Sequence, residues 1–257
     1  MIIDTHVHMS DSKFNFDREI VIQKAFELGV EIIFEIACQT DYWDKALRLS
    51  KLDNIFISFG IHPNYTSKVL AKDYDKLESL AQNKKCIAIG EIGLDYHYDC
   101  SVQSINIQKK SFVKQLNIAR KYNKPVIIHC RDAYDDMINF LEEYKCIPKG
   151  VIHCFSGTLK QAQMLIRSGF LLGIDGPLTY KNSLNLKQII LRTDISKLLV
   201  ETDCPYIAPQ KYRGKRNEPS YIIEVLKEIA SIKNLSFNEV VDVTTQNAIK
   251  LFKINFS

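Results

Sequence analysis

The chain has 257 residues, of which 46% are hydrophobic and 25% charged, and this composition excludes a disordered protein. The net charge of +4 is compatible with an anionic substrate but does not by itself indicate one. No apolar run approaches the length of a membrane span and no signal peptide precedes Asp4. The seven cysteines include no Cys-x-x-Cys pair. We therefore expect a cytoplasmic protein with reduced thiols.

Short apolar segments rich in Ile, Val or Phe alternate with amphipathic segments, as in a sheet whose strands are covered on both faces. The predicted strands are residues 2–6, 31–36, 55–61, 86–91, 125–129, 150–153, 170–173 and 198–201. The predicted helices are residues 18–28, 42–51, 74–82, 103–121, 134–144, 159–167, 184–191, 221–233 and 236–252. This alternation predicts an α/β fold, a (β/α)8 TIM barrel, as a single domain over residues 1–257. A doubly wound open sheet is the alternative, but no Gly-x-Gly-x-x-Gly follows the first strand.

The first predicted strand runs into two histidines, His6 and His8. Residues two apart on a strand point to the same side, so both imidazoles face one way at the strand end. Imidazole pairs of this kind bind metal ions, although a lone His-x-His is common in ordinary proteins. The interpretation as a metal site therefore depends on ligands that the chain supplies later.

Further candidate ligands follow other predicted strands. Five of the six histidines lie at strand ends, because His62, His129 and His153 occupy such positions as well. Glu91 and Asp203 do the same. A barrel places its catalytic groups at the carboxyl ends of its strands. Any one of these residues alone is more often an ordinary core or surface residue, so their joint occurrence carries the prediction.

Six residues form the predicted metal set: His6, His8, Glu91, His129, His153 and Asp203. Six nitrogen and oxygen ligands exceed the need of one catalytic ion and favour two ions that share Glu91 and a hydroxide. Gly90 and Gly93 are expected to let the backbone turn sharply beside Glu91. Asp203 is also expected to accept a proton from the attacking water, with Glu201 on the same face as a supporting group. Glu91 and Asp203 are thus the predicted catalytic residues.

Basic residues are expected near an anionic substrate. Arg131 follows His129 by two positions, and a basic loop after the eighth strand contains Lys211, Arg213, Lys215 and Arg216. Arginine matches phosphate oxygens in two-point contact. A solvated surface loop explains the charge of that run equally well, but its place above the barrel mouth favours substrate contact.

Seven ordered motifs resemble those of the TatD-related DNases, a branch of the metal-dependent amidohydrolase-like barrels. They are Asp4-Thr5-His6-Val7-His8, Gly60-Ile61-His62-Pro63, Gly90-Glu91-Ile92-Gly93-Leu94-Asp95-Tyr96, Ile128-His129-Cys130-Arg131, His153-Cys154-Phe155-Ser156-Gly157, Glu201-Thr202-Asp203-Cys204-Pro205-Tyr206, and Arg213-Gly214 with Asn217-Glu218-Pro219. Together they cover nearly the whole chain and are specific, whereas each alone is not.

The resemblance implies hydrolysis of phosphodiester bonds in DNA with two divalent ions, as a 3′→5′ exonuclease or general DNase. It places the first ion on His6, His8 and Asp203, the second on His129 and His153, and Glu91 between them. It also assigns substrate contact to His62, Arg131, Arg213 and Asn217. Single-stranded DNA is the expected substrate, with no membrane and no obligate protein partner.

Two other function classes remain. Related barrels hydrolyse amides, esters or lactones, but many of them bridge their metals with a modified lysine, and Glu91 at this position favours the nuclease branch. A non-enzymatic nucleic-acid or protein binder would not need the full ligand set. The metal stays open between Zn²⁺, which suits imidazoles, and Mg²⁺ or Mn²⁺, which suit carboxylates. The choice between DNA and RNA and the polarity of digestion stay open as well.

Overall fold

A computed structural model describes residues 1–144 and 146–254 of the chain. It confirms the predicted barrel, since eight parallel strands lie side by side in sequence order within a single domain. The strands are β1 (Ile2–Val7), β2 (Val30–Ala37), β3 (Ile55–Phe59), β4 (Cys86–Asp95), β5 (Val126–Arg131), β6 (Gly150–Ile152), β7 (Leu171–Ile174) and β8 (Leu198–Val200). Residues 145 and 255–257 of the predicted single domain lie outside the described residues.

All nine predicted helices are present. They are α1 (Arg18–Glu27), α2 (Trp43–Leu49), α3 (Ala71–Leu80), α4 (Val102–Lys121), α5 (Tyr134–Glu143), α6 (Leu159–Arg167), α7 (Leu184–Arg192), α8 (Ile222–Lys233) and α9 (Phe237–Phe252). Helix α3 begins earlier than predicted because the carboxylate of Asp73 accepts the Leu70 N–H at 2.8 Å and so caps the first turn. In the described part of the chain, none of these helices combines the length and the apolar character that a membrane crossing requires.

The strands are buried on both faces, which explains their near-continuous apolar sequences. Beyond the last residue of β8, the chain closes the barrel against β1 through backbone hydrogen bonds from Asp203 N–H to His6 C=O at 2.9 Å and from His8 N–H to Cys204 C=O at 2.8 Å. Phe252, at the end of α9, packs on the barrel residue Phe34 with ring centroids 4.9 Å apart. The interior is thus apolar, and buried histidines and carboxylates gather near the carboxyl ends of the strands.

Strand β4 differs from the prediction in a way that affects the site. It continues to Asp95, so Glu91 lies within the strand and not at its end. The two glycines beside it serve close packing against β5 rather than a sharp turn. A Cβ on Gly90 would lie 2.5 Å from the Cβ of Ile127, and one on Gly93, whose φ is +143°, would lie 2.0 Å from the His129 carbonyl oxygen. The pairing with β5 shifts register between Gly90 and Ile92, which gives Glu91 its place.

Strand β8 is shorter than predicted and ends at Val200. Glu201 and Asp203 therefore belong to the connection after the strand. Asp203 adopts a φ of +57°, a left-handed conformation that aspartate tolerates better than most residues. Its carboxylate is brought to the rim of the barrel by this local bend and by the hydrogen bond of its N–H to His6.

Candidate metal centre

A cavity of about 560 Å³ lies at the carboxyl ends of the strands. Its walls include His8, His62, His129 and His153. Glu91, Asp95 and Asp203 also line it, and His6 is buried directly beneath. The residues that the sequence singles out in different motifs are therefore brought to one place.

The first group of donor atoms comes from β1 and the segment after β8. The Nε2 atoms of His6 and His8 lie 3.2 Å apart. Asp203 Oδ1 lies 3.1 Å from His8 Nε2 and 3.8 Å from His6 Nε2. Glu91 Oε2 lies 3.6 Å from His6 Nε2 and 3.9 Å from His8 Nε2. Two imidazole nitrogens facing each other and two carboxylate oxygens have the chemistry and spacing of ligands for a divalent ion.

The second group surrounds the other oxygen of Glu91. Its Oε1 lies 2.6 Å from His129 Nδ1 and 3.6 Å from His153 Nε2. His62 Nε2 is also 3.6 Å from the same oxygen. The two oxygens of one buried carboxylate thus face two separate sets of imidazoles. This geometry fits a carboxylate shared between two ions.

His8 and His153 each have one ring nitrogen held by a hydrogen bond outside the donor groups, whereas His6 Nδ1 has no such partner among the described residues. His8 Nδ1 lies 2.9 Å from the carbonyl oxygen of Ile36, which can only accept, so Nδ1 carries a proton and Nε2 faces Asp203 in the cavity. His153 Nδ1 lies 2.8 Å from Glu201 Oε1. Such contacts fix the tautomer and orientation of metal-binding histidines. Glu201 therefore supports His153, whereas the sequence pattern associated it with Asp203.

Glu91 and Asp203 have lowered pKa values although both side chains are buried. Burial opposes the charge on Glu91, but the surrounding histidines, first His62 and then His153, hold its pKa well below the ordinary value. Burial likewise opposes the charge on Asp203, and the hydrogen bond with His8 keeps its pKa low. Both carboxylates are therefore ionised at neutral pH. Ionised carboxylates buried beside imidazoles require positive charge nearby, which divalent ions supply.

Asp95 lies in the site but is not among the residues selected from the sequence. Its Oδ2 lies 3.1 Å from His129 Nε2 and accepts a hydrogen bond from Asn64 Nδ2 at 3.0 Å. The acid thus orients the ring that faces Glu91. A signal was available, because Asp95 follows Glu91 by four positions on the same strand, and alternate strand residues share a face.

His62 and Arg131, two of the predicted substrate contacts, both line the cavity. His62 lies as close to Glu91 Oε1 as His153 does, so the structure places it among the buried imidazoles. Arg131 ends β5, and its guanidinium carbon lies 5.3 Å from the centre of the Tyr98 ring. The arginine is half-buried and its free N–H groups can reach a ligand at the cavity mouth.

Two cations of the basic loop, Arg216 and Lys211, form ion pairs within the protein. Arg216 forms a two-point ion pair with Asp17 at 2.7 and 2.6 Å, and Lys211 pairs with Glu224 at 3.1 Å. Arg213 is absent from the cavity walls, and its guanidinium lies over the ring of Tyr180, 4.7 Å from the centroid. Much of the charge therefore stabilises the loop itself.

Asn217, which the sequence predicts to contact the substrate, is hydrogen-bonded within the protein. Its side chain is fully buried, and Nδ2 donates to the carbonyl oxygens of Thr202 and Tyr206, both at 2.7 Å. Its Oδ1 accepts the Glu218 N–H at 2.9 Å. With these hydrogen bonds to the protein, Asn217 holds the segment that carries Asp203 and does not reach a ligand.

Aromatic residues that the sequence pattern did not indicate line the mouth. Tyr42, Tyr65, Tyr98 and Tyr206 all contribute to the cavity wall. Tyr98 is 72% exposed, which is high for a large aromatic side chain. A second cavity of about 620 Å³ shares Tyr65 and Tyr98 with the first. The two cavities are therefore neighbours at this edge of the barrel.

Comparison with known proteins agrees with the motifs. The family described as TatD related DNase matches residues 3–253. The chain is 37% identical to the uncharacterized metal-dependent hydrolase YabD of Bacillus subtilis, over 99% of this chain and 100% of that protein. It is 32% identical to the 3′-5′ ssDNA/RNA exonuclease TatD of Escherichia fergusonii, over 99% and 100% of the two chains.

Solved structures with a similar fold include a TatD homologue. The crystal structure of YjjV, a TatD homologue from Escherichia coli K12, matches with a TM-score of 0.92 and 27% identity, over 99% of this chain and 98% of that one. An organophosphorus hydrolase of Deinococcus radiodurans shares the fold alone, with a TM-score of 0.69 at 11% identity, over 98% of this chain and 92% of that one. The chain belongs to the TatD-related DNase family of metal-dependent hydrolases.

Proposed function

We propose that this protein is a two-metal nuclease that removes nucleotides from the 3′ end of single-stranded DNA. The observation that carries the proposal is the division of the histidines between the two oxygens of Glu91. A single ion would not need nitrogens on both sides of a buried carboxylate. The TatD exonuclease name of a relative that aligns over nearly its whole length supports the substrate class.

The proposed ligands follow the two groups of donor atoms. His6, His8 and Asp203 would hold one ion, His129 and His153 would hold the other, and Glu91 would serve both. When bound, the ions would lower the pKa of a water at the site and neutralise the charge that develops on the attacked phosphate. Zn²⁺, Mg²⁺ and Mn²⁺ are the candidates, because the donor set mixes imidazoles with carboxylates.

The side chains of this protein have distinct proposed roles in the reaction. Asp203, at the rim, accepts the proton of the attacking water, since its carboxylate is ionised and faces the cavity. Asp95 and Glu201 act through the histidines that they orient. Arg131 meets the phosphate oxygens of the substrate, to which its guanidinium is matched.

The mouth of the cavity suits an unpaired strand. The exposed ring of Tyr98 offers a face on which a base can stack, and this kind of contact tolerates any sequence. The second cavity beyond Tyr98 gives room for the next nucleotide. We also propose that the protein acts in the cytoplasm, because all seven cysteines are free.

Metal content tests the ligand assignment. We expect two ions per chain by elemental analysis after saturation, and one ion in the double variant His129→Ala/His153→Ala. The matched control is His97→Ala, because His97 is half-exposed and pairs with Asp132, outside the donor groups. Retention of both ions by the double variant with an unchanged circular-dichroism spectrum would refute the assignment.

Substrate profiling tests the reaction. We expect hydrolysis of 3′-labelled and 5′-labelled single-stranded DNA with each metal in turn, with loss of nucleotides from the 3′ end. RNA, carboxylic esters, amides and lactones form the comparison panel. Cleavage of a lactone or ester in preference to DNA would favour the amidohydrolase-type alternative. Activity on none of them in the fully metallated protein would contradict the proposed function.

A further inference from the structure

A cleft of about 690 Å³ lies far from the metal centre and is strongly basic. Its walls come from well-separated segments of the chain, including the end of α4, the connections before β5, β6 and β8, and the last turn of α9. Six cations line it, and they are Arg120, Lys124, Lys149, Lys197, Lys250 and Lys253. Among the described residues, no aspartate or glutamate lines it.

The cleft occupies the opposite end of the barrel. Lys124, Lys149 and Lys197 each precede a strand, so they lie at the amino ends of the sheet. Helix α4 begins after β4, near the mouth, and ends at the cleft. At 1.5 Å per residue, a helix of 20 residues is about 30 Å long. The metal centre and the basic cleft are therefore separated by roughly the height of the barrel.

The charges of the six cations are not neutralised by ion pairs. In the described part of the chain, none of them lies within 4.0 Å of a carboxylate oxygen. Asp194, close in sequence to Lys197, is occupied by the N–H of Ser196 at 2.8 Å. With six cations and no acidic residue among its described walls, the cleft has a local excess of positive charge.

Helix capping and hydrogen bonds to the backbone account for only some of the six cations. Arg120 lies in the last turn of α4 and Lys250 in the last turn of α9, where cations offset the partial negative charge of a helix carboxyl end. Lys124 donates to the carbonyl oxygen of Cys86. Lys149 and Lys197 have no such role, since both lie outside the α-helices and are exposed. Helix capping therefore does not explain the cations that precede β6 and β8.

We propose that the basic cleft binds the phosphate backbone of nucleic acid, away from the point of cleavage. Five of the cations are lysines, and all but Lys124 are exposed, which favours a mobile polyanion over a small anion held by fixed donors. The amide of Asn247 is already engaged with the carbonyl oxygens of Ile195 and Leu198. Charge is thus the main means of recognition, so binding is independent of sequence and sensitive to salt.

The binding test uses the full chain loaded with metal and fluorescein-labelled 20-nucleotide strands whose phosphorothioate linkages resist hydrolysis. The variant is Lys149→Gln/Lys197→Gln/Lys250→Gln. The matched control is Lys72→Gln/Lys84→Gln/Lys110→Gln, which removes the same charge from exposed lysines outside the cleft. For the cleft variant we expect about tenfold weaker binding at 0.1 M salt and a salt slope smaller by roughly 2, since each lost phosphate contact lowers it by about 0.7 on single strands.

Other results would overturn the proposal. Equal loss in the cleft and control variants would show a general charge effect. Competition by inorganic phosphate or a mononucleotide at low millimolar concentration, abolished in the cleft variant, would show a small-anion site instead. Hydrolysis of bis(p-nitrophenyl) phosphate should be the same in all three proteins, because this substrate occupies only the metal centre. The binding measurement holds whether or not DNA is the substrate, so the two proposals can fail separately.

Discussion

The two ends of this barrel carry charge in opposite ways. At the carboxyl end, Glu91 and Asp203 are buried, and each has a histidine nitrogen close to its carboxylate, at 2.6 Å and 3.1 Å respectively. At the amino end, Lys149 and Lys197 are exposed and have no ion-pair partner among the described residues. Among the described residues, donor atoms that converge within ligand distance of one another are found at the carboxyl end.

We propose that the carboxyl end of the barrel carries out catalysis and that the amino end binds the substrate. Buried charges are expensive, and a fixed geometry with hydrogen-bonded partners is what makes them tolerable and useful in catalysis. Exposed lysines cost little, are screened by salt and attract phosphates over a distance. Variants at the carboxyl end should therefore change turnover or metal affinity at every ionic strength. Variants at the amino end should act only on long substrates and only at low salt.

The largest effect is expected for Asp203→Asn. The amide keeps the size and one ligating oxygen but cannot accept the proton of the attacking water. Turnover on single-stranded DNA at saturating metal should fall by roughly a hundredfold or more, the usual scale for a general base. The measurement is a metal titration of the rate at low and high salt. Full recovery at high metal would leave Asp203 as a ligand alone.

A smaller effect is expected when the supporting acids are changed. Asp95→Asn and Glu201→Gln should each lower metal affinity by about 10- to 100-fold, because they orient His129 and His153. Isothermal titration with metal measures this. The control is Asp132→Asn, since Asp132 also contacts a histidine, His97, at 2.9 Å but is exposed at the surface. Equal metal affinity in Asp95→Asn and the control would show that the buried contact has no such role.

Removal of the exposed ring at the mouth should act on the substrate and not on the metal. Tyr98→Ala should reduce kcat/KM on a 20-nucleotide strand by about five- to a hundredfold, the range for one base stacked on an aromatic ring. Activity on bis(p-nitrophenyl) phosphate should not change. Tyr98→Phe, which keeps the ring, should retain activity on both substrates, and Phe16→Ala removes another fully exposed aromatic as a control. A matching loss on both substrates would indicate disturbance of Arg131 instead.

The smallest effect on chemistry is expected at Asn217. Asn217→Ala leaves the buried carbonyl oxygens of Thr202 and Tyr206 without their donor, which costs about 1–3 kcal/mol of unfolding free energy. Urea denaturation measures the loss. Because the amide does not touch the cavity, KM should remain close to that of the wild type. A large rise in KM without loss of stability would instead support the substrate contact predicted from the sequence.

The sequence determined the fold and most of the residues that converge. Apolar segments alternating with amphipathic ones predict a barrel, and polar groups that follow such segments must gather at one end of it. His6, His8, His62, His129 and His153 all belong to one cluster for this reason. This inference is robust because strand direction and the two-residue periodicity of a strand depend on local sequence alone.

The tertiary structure determined the features that strand periodicity does not specify. The register shift in β4 turns the two oxygens of Glu91 towards different histidines, and contacts between strands decide which acid supports which ring. The sequence predicted substrate contact for Asn217, and only the tertiary structure showed that its side chain is buried. The basic cleft is invisible in the sequence because its lysines come from separate segments, and only the packing of α4, α9 and the strand beginnings brings them together. Cations that are distant in sequence form one charged surface only in the folded chain.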